Sequence, residues 1–327
     1  MKPIAVDAMG GDKAPDEIVA GARQAADDLG VPVLLVGRPE VLGPLAGDLE
    51  VLAASEVIDM HDDPAQGVRR KKDSSLVRAA EAVRDGKASA MVSAGNTGAT
   101  MGSALLRMGR IKGVSRPAIA TPIPVPGTTP TIMLDAGANS ECQAEWLVQF
   151  AQMGAAFATQ RYDIAAPRVG LLSIGEEDSK GTPLVKETNA LLRAGAGVTF
   201  IGNVEGRDIM TDQVDVVVTD GFTGNVALKT LEGAMRFLVG KVFEAFGSSD
   251  EARKAADVML PALAPLAGEL DPDSTGGALL LGVDGVCVIS HGSSSARAIV
   301  NAVRVARDAV EQDLVGLLQA AIAKKTA

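Results

Sequence analysis

The stretch "DVVVTDGFTGNVALKT" at residues 215–230 contains the repeating unit that decides the fold. Its run of β-branched residues predicts a buried strand, its Gly, Thr and Asn residues predict a turn, and its remainder has the spacing of a helix. Five other stretches keep this order of strand, small-residue loop and helix, at residues 4–12, 90–99, 131–140, 168–182 and 285–295. Strands that alternate with helices predict βαβ units and a parallel sheet.

The same rhythm predicts where a ligand binds. Right-handed crossovers are expected to place all the strand-to-helix loops at one end of the sheet, and open α/β sheets bind ligands at that end. Small residues at helix N-termini let backbone N–H groups approach an anion. The alternative is that these Gly, Ser, Asn and Thr residues are ordinary turn and capping residues.

Composition and charge exclude several classes of protein. The chain has 327 residues and a formal net charge of −10, which disfavours nonspecific nucleic-acid binding. Its two cysteines, Cys142 and Cys287, form no C-x-x-C pair, so a disulfide framework or zinc site is not expected and a reducing cytoplasm is favoured. A strand predicted almost at the N-terminus leaves no room for a signal peptide, and no apolar run approaches the ~20 residues of a spanning helix.

Two well-known phosphate-binding motifs are absent from the sequence. There is no G-x-x-x-x-G-K-[ST], and no G-x-G-x-x-G follows a strand. ATP or NAD chemistry through those motifs is therefore disfavoured, and a smaller anion remains. We expect no cofactor and no metal, since the aspartates assemble into no convincing metal set.

Two polar side chains are the first candidates for contact with that anion. Lys180, in "GEEDSKGT", is a mobile point charge suited to phosphate; the alternative is a solvated lysine beside Glu176, Glu177 and Asp178. Asn225 follows a glycine at a predicted helix start, and its amide could donate to an oxyanion; the alternative is a helix cap.

His291 is a third candidate, as an acid, a base or a donor to an anion; a hydrogen-bonded turn histidine is the alternative. No Ser-His-Asp elbow appears and neither cysteine has an activating context, so no covalent nucleophile is evident. The loop residues expected to line the anion site are Asp7, Gly10, Gly11, Asn96, Thr97, Gly98, Gly181, Gly221, Thr223, Gly224 and Ser293.

Two further segments suggest contacts with larger partners. The cluster "RRKKDSS" at 69–75 is either a solvated charge run or a docking face for an acidic protein, through Arg69, Arg70, Lys71 and Lys72. The stretch 257–270 has apolar residues at approximate helical spacing, and Pro261 and Pro265 are expected to break it into short pieces. It predicts either a dimer or domain contact or a lipid-facing surface, through Val258, Leu260, Leu263 and Leu266.

With these residues in view, the chain resembles the bacterial phosphate acyltransferases of phospholipid synthesis. The resemblance spans nearly the full length, although no motif lies after about residue 310. The matching segments are "AVDAMGGD" (5–12), "RRKKDSSL" (69–76), "VSAGNTGA" (92–99), "SIGEEDSKG" (173–181), "NVEGRD" (203–208), "DGFTGNVALK" (220–229) and "ISHGSSSARAI" (289–299).

The resemblance implies a fold and an assembly. The fold is a Rossmann-like three-layer α/β/α sandwich with a mainly parallel sheet, related to the isocitrate and isopropylmalate dehydrogenases and the phosphotransacetylases. It implies a homodimer with a single domain over 1–327 and a small helical projection at about 245–275 that touches the membrane. The expected location is the cytoplasm, at the inner face of the cell membrane.

The resemblance also implies a reaction. An acyl-[acyl-carrier-protein] thioester and inorganic phosphate give acyl phosphate and free carrier protein, with Lys180 and Asn225 as the important side chains. A membrane-bound glycerol-3-phosphate acyltransferase would then use the product. The alternatives are a phosphotransacetylase-like enzyme that uses acyl-CoA, an isocitrate-type dehydrogenase, and a non-catalytic scaffold recruited to the membrane.

Overall fold

A computed structural model describes residues 1–271, 273 and 276–323. The strands of these residues are β1 (Ile4–Asp7), β2 (Val33–Gly37), β3 (Glu50–Ala53), β4 (Ala90–Ser93), β5 (Ala118–Ile123), β6 (Thr131–Leu134), β7 (Arg168–Leu172), β8 (Thr199–Val204), β9 (Val216–Val218), β10 (Ala278–Leu281) and β11 (Val286–Ile289). The helices are α1 (Asp16–Leu29), α2 (Pro39–Leu42), α3 (Pro64–Arg70), α4 (Ser75–Arg84), α5 (Thr97–Arg107), α6 (Ala144–Tyr162), α7 (Pro183–Arg193), α8 (Gly221–Phe246), α9 (Asp250–Glu269), α10 (Ala296–Glu311) and α11 (Leu314–Ala323).

The strands form one sheet in the order β3-β2-β1-β4-β11-β10-β5-β6-β9-β7-β8. The first five of these are parallel to one another, and so are the last four. Three antiparallel pairings separate the two groups, between β11 and β10, β10 and β5, and β5 and β6. An odd number of reversals means that the two parallel groups run in opposite directions.

This reversal corrects the expectation that all the loops meet at one end of the sheet. The loops after β1, β4 and β11 (8–15, 94–96 and 290–295), hereafter the first loop set, leave the sheet in one direction. The loops after β6, β9 and β7 (135–143, 219–220 and 173–182), the second loop set, leave it in the other. Within each set the three strands are consecutive in the sheet, so the loops of one set are neighbours.

Strand β5 connects the two halves with an offset. Strand β10 pairs with the first half of β5, and β6 pairs with its second half. By this register the end of β11 is level with Thr121, and the end of β6 is level with Ala120. The carboxyl ends of both groups therefore lie at the same level on β5, near the middle of the strand.

Helices cover both faces of the sheet, as the fold class predicted. One buried cluster packs α1, α6, α10 and α11 against one face, and a second packs α3, α4, α5 and the start of α8 against the other. Strands such as β1 and β4 are buried along their whole length. Burial on both faces explains why these strands are continuous apolar runs and do not alternate with polar residues.

The helix starts are set by polar side chains that the sequence places after the loops. In each case a side-chain oxygen accepts the backbone N–H three residues on and satisfies one of the free donors of the first turn. The capping residues are Asp63, Ser74, Asn96, Thr182, Asp220, Ser249 and Ser295. The capping interpretation of the small polar residues is thus correct for these positions.

A hairpin of two long helices, α8 and α9, extends from the sheet. Helix α9 is continuous, which corrects the prediction that Pro261 and Pro265 break it. Each proline removes one backbone N–H donor and crowds the carbonyl four residues before it, and on an exposed helix that carbonyl is open to water. Within the part of the chain described, no helix is both long and apolar enough to cross a bilayer.

Candidate functional site

In the first loop set, Asp7 lies buried at the end of β1. Its carboxylate accepts the hydroxyl of Ser93 at 2.7 Å and the backbone N–H of Met9 at 3.3 Å. Burial raises the pKa of Asp7, and hydrogen bonds from serine hydroxyls partly oppose that rise. A side chain at Gly10 would collide with this carboxylate and with the backbone of Gly95. The acid is therefore sealed under glycine backbone.

Asn96 has the capping role in the same set. Its Oδ1 accepts the N–H of Ala99 at 3.0 Å, and its Nδ2 donates to the carbonyls of Met60 and Asp62 at 3.0 and 3.2 Å. Every hydrogen of this side-chain amide is thereby used inside the protein. Thr97, the next residue, is exposed.

His291 and Ser293 form a turn at the carboxyl end of β11. The Nδ1 atom of His291 accepts the backbone N–H of Ser293 at 3.2 Å and lies 2.8 Å from its hydroxyl. A neutral ring that accepts at Nδ1 carries its proton on Nε2, and the His291 side chain is exposed. The loop is fixed to the first one because Asp12 N–H donates to the carbonyl of Gly292 at 2.8 Å.

The second loop set is built around Asp135, which follows β6 and is fully buried. Its Oδ1 accepts the backbone N–H groups of Ile119, Gly137 and Ala138 at 2.9–3.1 Å. Its Oδ2 accepts both the backbone and side-chain nitrogens of Asn139, at 2.7 and 2.8 Å. Burial raises the pKa of Asp135 while these donors lower it. The carboxylate holds the 135–139 loop in shape.

Helix α8 begins against this loop through two glycines. A Cβ on Gly221 would lie 2.7 Å from the carbonyl of Asn139, and one on Gly224 would collide with the carbonyl of Asp135. The N–H of Gly221 also donates to the Asn139 carbonyl at 2.8 Å. The glycines are required because the helix start touches the loop backbone.

Asn225 is not a helix cap, in contrast to Asn96. Asp220 caps α8 by accepting the N–H and hydroxyl of Thr223 at 2.8 and 2.7 Å. Asn225 lies one turn inside the helix, exposed, with its Nδ2 donating to the carbonyl of Ala136 at 3.2 Å. One amide hydrogen and the amide oxygen have no partner in the described part of the chain.

Lys180 is exposed in the loop after β7, next to the strand that leads into α8. Its aliphatic stem crosses Gly175, where a Cβ would lie 2.9 Å from the lysine Cγ. Two of the three neighbouring acids have other partners: Glu176 pairs with Arg207 at 3.3 Å and Asp178 with Arg193 at 2.6 Å. Within the described residues the ammonium of Lys180 forms no ion pair.

The structure thus places Lys180, Gly181, Gly221, Thr223, Gly224 and Asn225 in or directly after the second loop set, and the other predicted site residues in or directly beside the first. Sequence reasoning did not single out Asp135 or Asn139, which organise the second set. The available signal was the position of Asp135, an aspartate at a strand end that is followed by alanine and then by glycine within three residues, as after β1.

The basic cluster is only partly exposed. Arg69, Arg70 and Lys72 are exposed, but the ammonium of Lys71 is 2.6 Å from the carboxylate of Asp62 and 2.7 Å from the carbonyl of Val57. Lys71 is therefore withdrawn from the predicted docking face, because its charge is satisfied within the protein.

The predicted lipid-facing residues are mostly exposed. Val258, Leu260 and Leu266 are 77%, 37% and 41% exposed, while Leu263 is half-buried. Helix α8 also exposes apolar side chains over its second half, namely Phe237, Leu238, Val239, Val242 and Phe243. Apolar surface of this extent, on two adjacent helices, is typical of a contact surface.

Burial raises the pKa of both cysteines to about 12, so neither thiol is activated. Among the described residues, no group of three His, Cys, Asp or Glu side chains is arranged to hold a metal ion.

The chain is similar to known proteins over nearly its full length. A family model described as "Fatty acid synthesis protein" matches residues 2–316. A phosphate acyltransferase of Heliobacterium modesticaldum is 49% identical over 97% of this chain and 96% of its own, and one of Pelotomaculum thermopropionicum is 47% identical over 98% and 94%.

Solved structures with the same fold have low identity. A phosphotransacetylase from Streptococcus pyogenes superposes with a TM-score of 0.64 at 18% identity, over 95% of this chain and 94% of that one. A 4-hydroxythreonine-4-phosphate dehydrogenase from Klebsiella pneumoniae gives 0.54 at 14%, over 95% and 100%. These likenesses confirm the predicted relationship of the fold, and the sequence matches carry the family. The chain belongs to the phosphate acyltransferase family and is an acyltransferase.

Proposed function

We propose that this protein transfers the acyl group of an acyl-[acyl-carrier-protein] to inorganic phosphate, giving acyl phosphate and free carrier protein. The observation that carries the proposal is the exposed ammonium of Lys180, which forms no ion pair among the described residues and lies in the loop after β7, the strand next to β9. Two of its acidic neighbours, Asp178 and Glu176, are engaged with Arg193 and Arg207. A free cation in a glycine-flanked loop is suited to hold phosphate.

The reaction needs positioning more than it needs a protein nucleophile. An oxygen of bound phosphate attacks the thioester carbonyl carbon, the C–S bond breaks, and the sulfur leaves as thiolate and takes up a proton. Lys180 holds phosphate in line with the carbonyl, and Asn225 donates its free amide hydrogen to the oxyanion that forms. Backbone N–H groups of the loop around Gly181 complete the cradle, since those of Gly221 and Gly224 are bonded to the carbonyls of Asn139 and Asp220.

His291 is a third, weaker candidate within this proposal. Its Nε2–H can donate to an anion or to the departing sulfur, because Nδ1 is occupied by Ser293. It belongs to the first loop set, with Gly10, Gly11, Thr97 and Gly98, so its role requires a ligand that reaches both sets. The equal level of the two carboxyl edges on β5 favours such a ligand.

The test is incubation of the purified protein with acyl-carrier-protein and phosphate, followed by trapping of acyl phosphate with hydroxylamine. We expect phosphate-dependent product with acyl-carrier-protein and little with acyl-CoA. Equal or better turnover with acyl-CoA would contradict the proposed donor and favour the phosphotransacetylase-like alternative. No product with either donor would contradict both.

We further propose that the α8–α9 hairpin contacts the inner face of the membrane through α9 and a second copy of the chain through α8. The exposed Val258, Leu260 and Leu266 support the first contact, and Phe237 and Phe243 support the second. Acyl phosphate would then pass at the membrane to a glycerol-3-phosphate acyltransferase for phospholipid synthesis.

These two contacts can be separated by experiment. The double variant Val258→Asp, Leu260→Asp should lose co-flotation with anionic vesicles. Its oligomeric mass in solution should not change. Asp at Phe237 and Phe243 should convert a dimer of about 67 kDa, twice the 33.4 kDa of the chain, into monomers. Vesicle binding that survives the first pair of changes, or a dimer that survives the second, would contradict the corresponding contact.

For the carrier protein we propose docking at Arg69, Arg70 and Lys72, which are exposed beside the end of α3. Charge reversal at Arg69 and Arg70 should raise the KM for acyl-carrier-protein and leave the KM for phosphate unchanged. Charge reversal at Lys186, exposed on α7, is the matched control. An unchanged KM for the carrier would remove this docking face.

A further inference from the structure

A cavity of about 410 Å³ lies beside the second loop set. Its lining includes Arg116, Asn139, Gln143 and Trp146. Its volume falls in the range of about 300–1,000 Å³ that is usual for small-molecule sites. Neither the sequence motifs nor the proposed roles of Lys180 and Asn225 account for it.

The cavity shares Asn139 with the loop that contacts Asn225. The side-chain amide of Asn139 donates to the carboxylate of Asp135 and to the carbonyl of Pro117. The backbone carbonyl of Asn139 accepts the first N–H of α8. Two residues before it, Gly137 packs against the side chain of Asn225. A molecule in the cavity therefore has the 135–139 loop between itself and Asn225.

Arg116 presents a positive charge at the cavity in a fixed orientation. Its guanidinium lies over the indole of Trp146, 4.9 Å from the ring centroid. The segment before it is held to α6, because Gln149 accepts the N–H of Ser115 at 2.8 Å and donates to the carbonyl of Gly113 at 2.9 Å. Among the described residues, Arg116 makes no ion pair.

The chemistry of the lining fits an elongated polar ligand with one anionic end. The guanidinium of Arg116 lies over Trp146 and makes no ion pair among the described residues, so its N–H groups are available to a phosphate. The carboxamide of Gln143 and the hydroxyl of Ser140 can exchange hydrogen bonds with amides along the ligand. Glu141 contributes one negative charge to the lining, whereas Lys112, on the same segment as Arg116, is not part of the lining.

We propose that this cavity receives the 4′-phosphopantetheine arm of the acyl donor, with Arg116 binding the phosphate and Trp146 holding Arg116 in place. The inference rests on the proposed function, because the arm delivers the thioester past Asn139 to Lys180 and Asn225. The arm is common to acyl-carrier-protein and coenzyme A. Arg116 therefore acts on both donors, whereas Arg69 and Arg70 act on the carrier protein alone.

The first test measures binding without turnover. Calorimetry with 4′-phosphopantetheine compares the unchanged protein with Arg116→Ala, Arg116→Lys and Lys112→Ala. We expect Arg116→Ala to weaken binding about tenfold or more, as for loss of a charge-assisted contact, Arg116→Lys to weaken it less, and Lys112→Ala to change it little. Pantetheine without the phosphate should bind equally to all four proteins. Equal weakening by Lys112→Ala, or no binding by the unchanged protein, would overturn the proposal.

The second test measures kinetics. Arg116→Ala should raise the KM for acyl-carrier-protein and for any acyl-CoA turned over, with kcat and the KM for phosphate unchanged. If the unchanged protein forms acyl phosphate and Arg116→Ala has a normal donor KM, the arm site is wrong and the proposed function stands. If no acyl phosphate forms but 4′-phosphopantetheine binds through Arg116, the proposed function is wrong and the binding site stands.

Discussion

The two loop sets have the same ingredients and use them differently. Each has a buried aspartate at a strand end, Asp7 or Asp135, and each has an asparagine near a helix start. In the first set Asn96 caps the helix and donates both amide hydrogens to carbonyls of the protein. In the second set Asp220 is the cap, which leaves Asn225 exposed one turn further on with a free amide hydrogen.

The difference shows that hydrogen-bond occupancy, and not residue type, separates a structural polar residue from a candidate functional one. A capping side chain has its acceptor engaged by the helix and gains stability for the fold. Where a neighbouring residue caps the helix, a polar side chain in the first turn keeps hydrogen-bonding groups that can bind a ligand. The same reasoning applies to lysines: Lys71 is held by Asp62, whereas two of the acids around Lys180, Glu176 and Asp178, are held by arginines.

The largest expected effect is that of Lys180→Ala on catalysis. Removing the free cation of the second set should lower kcat/KM about 10²–10³-fold and weaken the dependence on phosphate, without a loss of folding stability. Lys186→Ala, at an exposed position on α7, is the control and should be nearly normal. Acyl phosphate formation at several phosphate concentrations is the measurement, and unchanged turnover in Lys180→Ala would refute the assignment.

The next effect is on the stability of the second set. Gly224→Ala pushes a methyl group into the carbonyl of Asp135, so α8 must shift, and we expect a loss of about 3 kcal/mol in the free energy of unfolding. Gly233→Ala is the matched control in the same helix, where a Cβ meets nothing within 4 Å; it should gain about 0.5–1 kcal/mol. Urea denaturation measures both, and a neutral Gly224→Ala would mean that the helix start is not in contact with this loop.

The sequence predicted the βαβ units correctly because strand, small-residue loop and helix are local patterns. It did not predict β3, β5 or β10, which are not followed by such a loop. Since β5 and β10 supply the antiparallel pairings, their omission made the two groups of strands look like one. The direction of a strand is set by its pairing with distant segments, which local periodicity does not encode.

The candidate side chains could be located from local sequence, but their hydrogen-bond partners could not. Lys180 and Asn225 follow strands, so the position of each in a loop or helix start was visible. Whether an amide is a cap depends on which residue begins the helix, and α8 begins at Gly221, earlier than its sequence suggested. The pairing of the Lys71 charge depends on Asp62 and Val57, which the spacing of the cluster does not reveal.

A pair of asparagine variants tests the comparison directly. Asn96→Ala removes a helix cap and two hydrogen bonds, and should cost about 2–3 kcal/mol of stability while activity at low temperature is retained. Asn225→Ala should cost less than about 1 kcal/mol of stability and lower kcat about 10²-fold. Denaturation and turnover are measured on both proteins. If Asn96→Ala loses activity in the folded state, or Asn225→Ala loses stability, the two sets are not divided as described.

The smallest effect concerns the pH dependence that Asp7 gives the first set. Burial raises the pKa of this carboxyl above its ordinary 3.8, so the folded protein holds the proton more tightly than the unfolded chain. As the pH rises through 3.8, the unfolded chain ionises first, and the contribution of Asp7 to stability falls until the folded group has also ionised.

Asp7→Asn should remove that fall. The amide can be accommodated, since the hydroxyl of Ser93 can turn from donor to acceptor. Unfolding free energies of both proteins, measured at a series of pH values above about 3.8, should therefore diverge in favour of the variant as the pH rises and then run parallel. Parallel curves throughout would mean that the pKa of Asp7 in the folded protein is not raised. That result would contradict the description of Asp7 as a buried structural carboxyl.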